Sequence, residues 1–173
     1  MPGMPVMTTA PSPPTSQSAT PGAGSITPEG VKQQYSGYSL EQAQREGYKP
    51  DGFCLSATDF GLPATLGAIF HATDESRLMG PIVANRPQAL VFDQTNRVIA
   101  VEYEVMADAV SAPPQLFGQT FHLLPPHPGI QHQHYALHLW FSDNPNGQFA
   151  DFNPRLSLSG RKRAEPASSP GAW

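Results

Sequence analysis

The chain has little of what marks the common functional classes. Only one of its 173 residues is cysteine, Cys54, which excludes an internal disulfide and any paired-cysteine metal or redox site. Charge is sparse: 10 basic and 14 acidic residues leave a formal net charge of -4. A nucleic-acid binder would show a basic surplus on one face, so nucleic acid is not an expected partner. No apolar run approaches the roughly 20 residues that span a bilayer. GxSxG, a Walker loop, GxGxxG and HExxH are all missing, which sets aside the catalytic constellations those motifs mark. No internal repeat is present. Chain-breakers, by contrast, are abundant, with 20 prolines and 15 glycines. The length suits one ordinary domain and is short for two.

The ends separate from the middle by composition. Residues 1–27 carry no charge and hold six Pro, three Gly, four Ser, five Thr and three Ala. Such a stretch cannot bury enough apolar surface to offset the entropy of ordering it, so a disordered leader is expected. It has neither the basic start nor the apolar stretch of a signal peptide. A Ser/Thr/Pro-rich leader is also common behind a removed signal, so an exported and a cytosolic origin both stay open. Residues 157–173, with Arg161-Lys162-Arg163, read as a disordered basic tail. A single globular domain is expected over residues 28–156.

That domain opens with helix. Thr27-Pro28-Glu29 reads as N-cap, proline at the first helical position and an acid in the first turn. A helix from Pro28 to about Tyr35 follows. Ser39 and Gln42 form a capping box, and Gly47 is the expected stop after Glu46. Val31, Tyr35, Tyr38 and Ala43 are the expected buried positions. After Pro50 come short β-rich runs: Gly52 to Ala57, Thr65 to His71, Ala89 to Asp93, Arg97 to Met106, Leu116 to Leu123 and His134 to Ser142. The turn Asp93-Gln94-Thr95-Asn96 joins two of them as a hairpin. The fold class expected is α+β: an N-terminal helical segment and a mostly antiparallel sheet of five or six short strands.

Two strands carry the chemistry. A strand's period of two puts Ile99, Val101, Tyr103 and Val105 on one face and Ala100, Glu102 and Glu104 on the other. It likewise separates Tyr135, Leu137, Leu139 and Phe141 from His134, Ala136, His138 and Trp140. The apolar faces belong to the core. The acids, imidazoles and indole, with alanines between them, suggest the floor of a cleft. If both strands share a sheet, Glu102 and His138 share its polar face. A carboxylate beside an imidazole favours the protonated ring and fixes its tautomer, which suits proton transfer or support of a metal ligand.

Four of the six histidines fall between residues 127 and 138. On an extended chain His132 and His134 lie roughly 7 Å apart, close enough to share an ion, and His134 and His138 roughly 13 Å apart. The candidate metal ligands are His134, His138 and Glu102, and a divalent first-row metal is the cofactor such a set would take. Glu102 and His138 are also the candidate catalytic pair, and His71 and Trp140 the candidate ligand-binding residues. Asp59, Asp74 and Glu75 sit near turns and read as solvated. Cys54 reads as a small buried hydrophobe.

Several segments also look familiar as an ordered set. Gly67-Ala68-Ile69-Phe70-His71, Arg86-Pro87, Val101-Glu102-Tyr103, Leu116-Phe117-Gly118, His134-Tyr135-Ala136-Leu137-His138-Leu139-Trp140, Asn144-Pro145-Asn146-Gly147-Gln148-Phe149 and Asn153-Pro154 resemble the landmarks of a family of uncharacterised bacterial proteins, many of them exported. The resemblance covers roughly residues 30 to 156. It implies no activity. It favours His71, Glu102, His134 and His138 over His132, and it implies export.

Two function classes are open to such a chain. One is a His/Glu site on the polar sheet face that binds a small molecule or a metal, with hydrolysis as its chemistry. The other is a non-catalytic interaction module that uses Trp140 and the Pro-rich loops as contact surface.

Overall fold

A computed structural model describes residues 25–52, 54–127 and 130–156. The expected tail, and all of the expected leader before residue 25, lie outside the described residues. The chain between them is an α+β domain. Helices α1 (Pro28–Tyr35) and α2 (Leu40–Arg45) come first. Strands β1 (Lys49–Pro50), β2 (Leu55–Ser56), β3 (Ala68–Ile69), β4 (His71–Thr73), β5 (Ala89–Phe92) and β6 (Val98–Met106) come next, then β7 (Gln115–Leu116), β8 (Gln119–Thr120), β9 (His122–Leu124) and β10 (His134–Trp140).

Local chemistry sets both helices. The Thr27 side chain accepts from Gly30 N, Pro28 opens α1, and Ser39 and Gln42 cap α2 reciprocally. Six strands form one antiparallel sheet in the order β1-β4-β5-β6-β10-β9. The hairpin β5–β6 closes over Asp93, whose Oδ1 accepts from the backbone of Thr95 and Arg97.

Two expected strands are broken instead. Thr65 to His71 does not run continuously, because Gly67 sits at φ +102 and ends a 3-10 turn over Ala64–Leu66. Beyond it, β3 pairs with β2 in a separate ribbon while β4 joins the main sheet. Leu116 to Leu123 folds back at Phe117 (φ 53) and Gly118 (φ 73). Two successive positive φ values define a tight hairpin turn, which separates β7 from β8, and Phe121 then separates β8 from β9.

One sheet face is covered by the helices. Val31, Tyr35 and Ala43 pack there with Leu90, Val101, Tyr103, Leu137 and Leu139. Tyr38, expected to be buried, is only partly so. Three tyrosines bury their rings and donate their hydroxyls to one loop: Tyr103 to Ala84 O, Tyr35 to Asn85 O and Tyr48 to Pro87 O, at 2.6, 2.9 and 2.8 Å. They secure the run that leads into β5.

The opposite face is the one that sequence parity makes polar. It is closed over, not open as a cleft floor would be. Leu55, Ala57 and Phe152 pack onto Val91, Ala100 and Trp140 at one end of it. Gly67 makes this covering possible. A Cβ there would lie 2.1 Å from the carbonyl oxygen of Asn153, so only glycine lets the returning chain at Asn153 cross this closely.

Candidate functional site

The closed face buries charge. His71, Glu102, Glu104, His134 and His138 are each no more than 3% exposed. The alternation of β6 and β10 aims these groups away from the apolar core, and small neighbours give them room: Glu102 lies beside Ala89 on β5, and Glu104 opposite Ala136 on β10.

Register brings the central pair together. His138 is the cross-strand partner of Glu102, and its Nε2 lies 3.2 Å from Glu102 Oε2. His71, two strands away from Glu102 on the other side, on β4, places its Nε2 3.8 Å from the same oxygen. Each imidazole is backed by a second carboxylate. Asp51 contacts His71 Nδ1, and Asp151 Oδ1 lies 3.6 Å from His138 Nδ1. Asp151 also meets the half-exposed His122 at 3.1 Å.

Burial and charge compete at every member. Burial disfavours the imidazolium of His71, but Asp51, then Glu102 and Glu104, outweigh it and raise the pKa to about 10. Burial likewise opposes charge on His138, and Glu102 and Asp151 overcome it, again to about 10. For Glu102, burial is outweighed by His138 and His71, which hold the carboxyl well below the usual range. Asp151 is lowered for the same kind of reason, by His138 and His122 against burial. Glu104 goes the other way: burial, then the neighbouring Glu102 charge, pushes it well above an ordinary glutamate. Neither oxygen of Glu104 has a hydrogen bond of sound geometry. Its backbone N–H, by contrast, is held by Gln88 Oε1 at 3.3 Å.

Ligand atoms from His71, Glu102 and Glu104 all lie within 4.8 Å of one another. That is a donor set able to hold a metal ion. Of the residues singled out from sequence, Glu102, His138 and His71 meet. His134 does not join them. Its Nε2 faces His127 Nε2 at 3.2 Å, and its Nδ1 faces the carbonyl of His132 at 3.1 Å. The imidazole of His132 shares nothing with it, because that residue is exposed.

Trp140 must be corrected as a contact surface. It is 2% exposed, stacks beside His138 and donates its Nε1 to Ala150 O at 2.6 Å. Glu104, Asp51, Asp151 and His127 were not singled out from sequence. For Glu104 the signal existed, since parity puts it beside Glu102. Asp51 and Asp151 lie in loops, where no periodicity applies.

Fold and site together define a single-domain α+β protein with a buried histidine–glutamate cluster on a closed sheet face. No family model, curated protein or solved structure matches the chain. No helix among the described residues is long and apolar enough to cross a membrane.

Proposed function

We propose that this protein binds a divalent first-row metal ion in the buried cluster. His71 Nε2 and the carboxylates of Glu102 and Glu104 are the ligands, and His138 holds Glu102 from its other side. One observation carries the reading: Glu104 is 1% exposed, neither of its oxygens has a hydrogen bond of sound geometry, and a ligand atom of it lies within 4.8 Å of one from His71 and one from Glu102. An unsatisfied buried polar group costs about 1–3 kcal/mol. An ion turns that liability into a bond.

The surroundings support it. A ligating histidine commonly gives its other ring N–H to a carboxylate, which fixes the tautomer and strengthens the donor. Asp51 stands in that relation to His71. Imidazole with carboxylates suits manganese, iron(II) or zinc. Hydrolysis is the finer form of the proposal. A metal ion supplies a polarising charge, and His138, between Glu102 and Asp151, is an imidazole able to carry a proton. We place the chain with the bacterial family it resembles on the same footing, since three of the positions that family favours, His71, Glu102 and His138, fall in this cluster. The interaction-module reading loses its main contact residue, because Trp140 is buried.

Manganese titration tests the metal. Added to chelator-treated protein, Mn2+ is expected to lose its free-ion resonance signal up to one equivalent per chain. Glu104→Gln should weaken that binding at least tenfold. Binding unchanged in Glu104→Gln, or none by the native protein, would overturn the proposal.

A further inference from the structure

A cavity of about 520 Å³ opens where the edge of the sheet runs out. Strand β9 pairs with β10 only opposite His134 to Ala136, and its last partner is His122. Further along β10 the chain returning from the Asn144 turn takes over, and Trp140 N donates to Gln148 O at 2.9 Å. Gln119, His122, Gln148, Phe149 and Asp151 line the space between. Its volume falls within the roughly 300–1,000 Å³ of small-molecule sites.

The imidazole in this wall is fixed at one nitrogen only. Both oxygens of Asp151 lie 3.1 Å from His122 Nδ1, and Asp151 Oδ1 is 3.6 Å from Nδ1 of the buried His138. Burial opposes the charge of Asp151, but His138 and then His122 hold its carboxyl below the ordinary range. An ionised carboxylate only accepts, so His122 Nδ1 donates to it. His122 Nε2 has no partner among the described residues. The side chains of Gln119 and Gln148 make no hydrogen bond to the described residues either, and each amide offers donors and an acceptor. Phe149 is partly buried against the core and brings an aromatic ring to the cavity.

We propose that this cavity binds a neutral carbohydrate, with His122 Nε2 and the amides of Gln119 and Gln148 on its hydroxyls and the Phe149 ring against one of its C–H faces. The lining selects that class. Asp151 carries a negative charge, and no lysine or arginine is among the described residues that line the cavity, so an anionic ligand meets repulsion there. A wholly apolar ligand would cover the amides and the imidazole without bonding them, at a cost in free energy. A sugar hydroxyl donates and accepts, as the amides do. The slightly positive C–H hydrogens of a pyranose suit the negative face of an aromatic ring. Because Asp151 orients His122 beforehand, less side-chain freedom is lost on binding. The site goes beyond the buried cluster and needs no ion.

The test uses the full chain, labelled with nitrogen-15 and kept in chelator so that no ion contributes. Glucose, galactose and mannose are titrated in turn, each beside its uronate. At least one neutral sugar should shift the His122 imidazole and the side-chain amide resonances of Gln119 and Gln148 to saturation. Its uronate should bind at least fivefold more weakly. His122→Ala, at an exposed edge position, and Phe149→Leu, which keeps apolar bulk on the core but removes the flat ring, should each weaken the sugar at least fivefold. Resonances that all three neutral sugars leave unmoved would overturn the site. So would a uronate that binds more tightly than its sugar, or a folded His122→Ala variant with native affinity. Should either variant fail to fold, the native chain's shifts and its preference between sugar and uronate decide.

Discussion

Glu104 is where stability and proposed function pull apart most clearly. It is kept neutral by burial and by Glu102, and neither oxygen has a hydrogen bond of sound geometry. Removing such a group often stabilises a fold. In chelator, Glu104→Met, which keeps the volume and takes away both oxygens, is expected to raise unfolding free energy by about 1–2 kcal/mol. Denaturant midpoints check this, and a loss of stability would mean that the carboxyl is satisfied in a way its geometry does not show. Period-two alternation makes the polar face legible from sequence, because Val101 and Tyr103 leave Glu102 only one direction to point. Partners are another matter. His138 meets Glu102 because the two strands align in one register, and Asp51 and Asp151 reach the cluster from loops that no local pattern locates.

At the scale of elements, capping and turn chemistry are readable because they are local. Thr27, the Ser39/Gln42 box and the Asp93 turn each act within a few residues. The break at Gly67 is not readable from sequence. Its cause is a close crossing by Asn153, which is distant in the chain. Gly147 supplies the contrast. It closes the turn from Asn144 with a bond of 2.9 Å and has φ +114, but the space for a Cβ is open. Gly147→Ala is expected to cost about 1 kcal/mol, from backbone conformation alone. Gly67→Ala adds a backbone clash and should cost about 3 kcal/mol or more. Equal melting temperatures for the two variants would show that the Asn153 crossing relaxes freely.

Across the whole molecule, the enclosed charges make stability depend on pH in a definite direction. His71 and His138 have pKa values raised from 6.5 to about 10. Their stabilisation is fully present below the lower value and is lost as pH rises through the higher one. Glu104, also raised, contributes in the same direction, beginning to lose its share above the ordinary glutamate range. Glu102 and Asp151, lowered, contribute above the ordinary carboxylate range and lose it as pH falls. The metal-free melting temperature should therefore decline from pH 6.5 to pH 10. The gain on adding Mn2+ should grow over the lower part of that range, because the ion competes with protons for its ligands. Thermal melts in chelator and in manganese measure both. A metal-free melting temperature that climbs with alkalinity would contradict the charge arrangement.

A sheet covered on both sides also governs time. No donor in the cluster is more than 3% exposed, so solvent exchange at the site waits on local opening of the chain packed over that face. An ion held there would arrive as the chain closes and leave only when it reopens. Its residence would follow the opening rate of the fold, so weak equilibrium affinity and slow release could coexist in the same site.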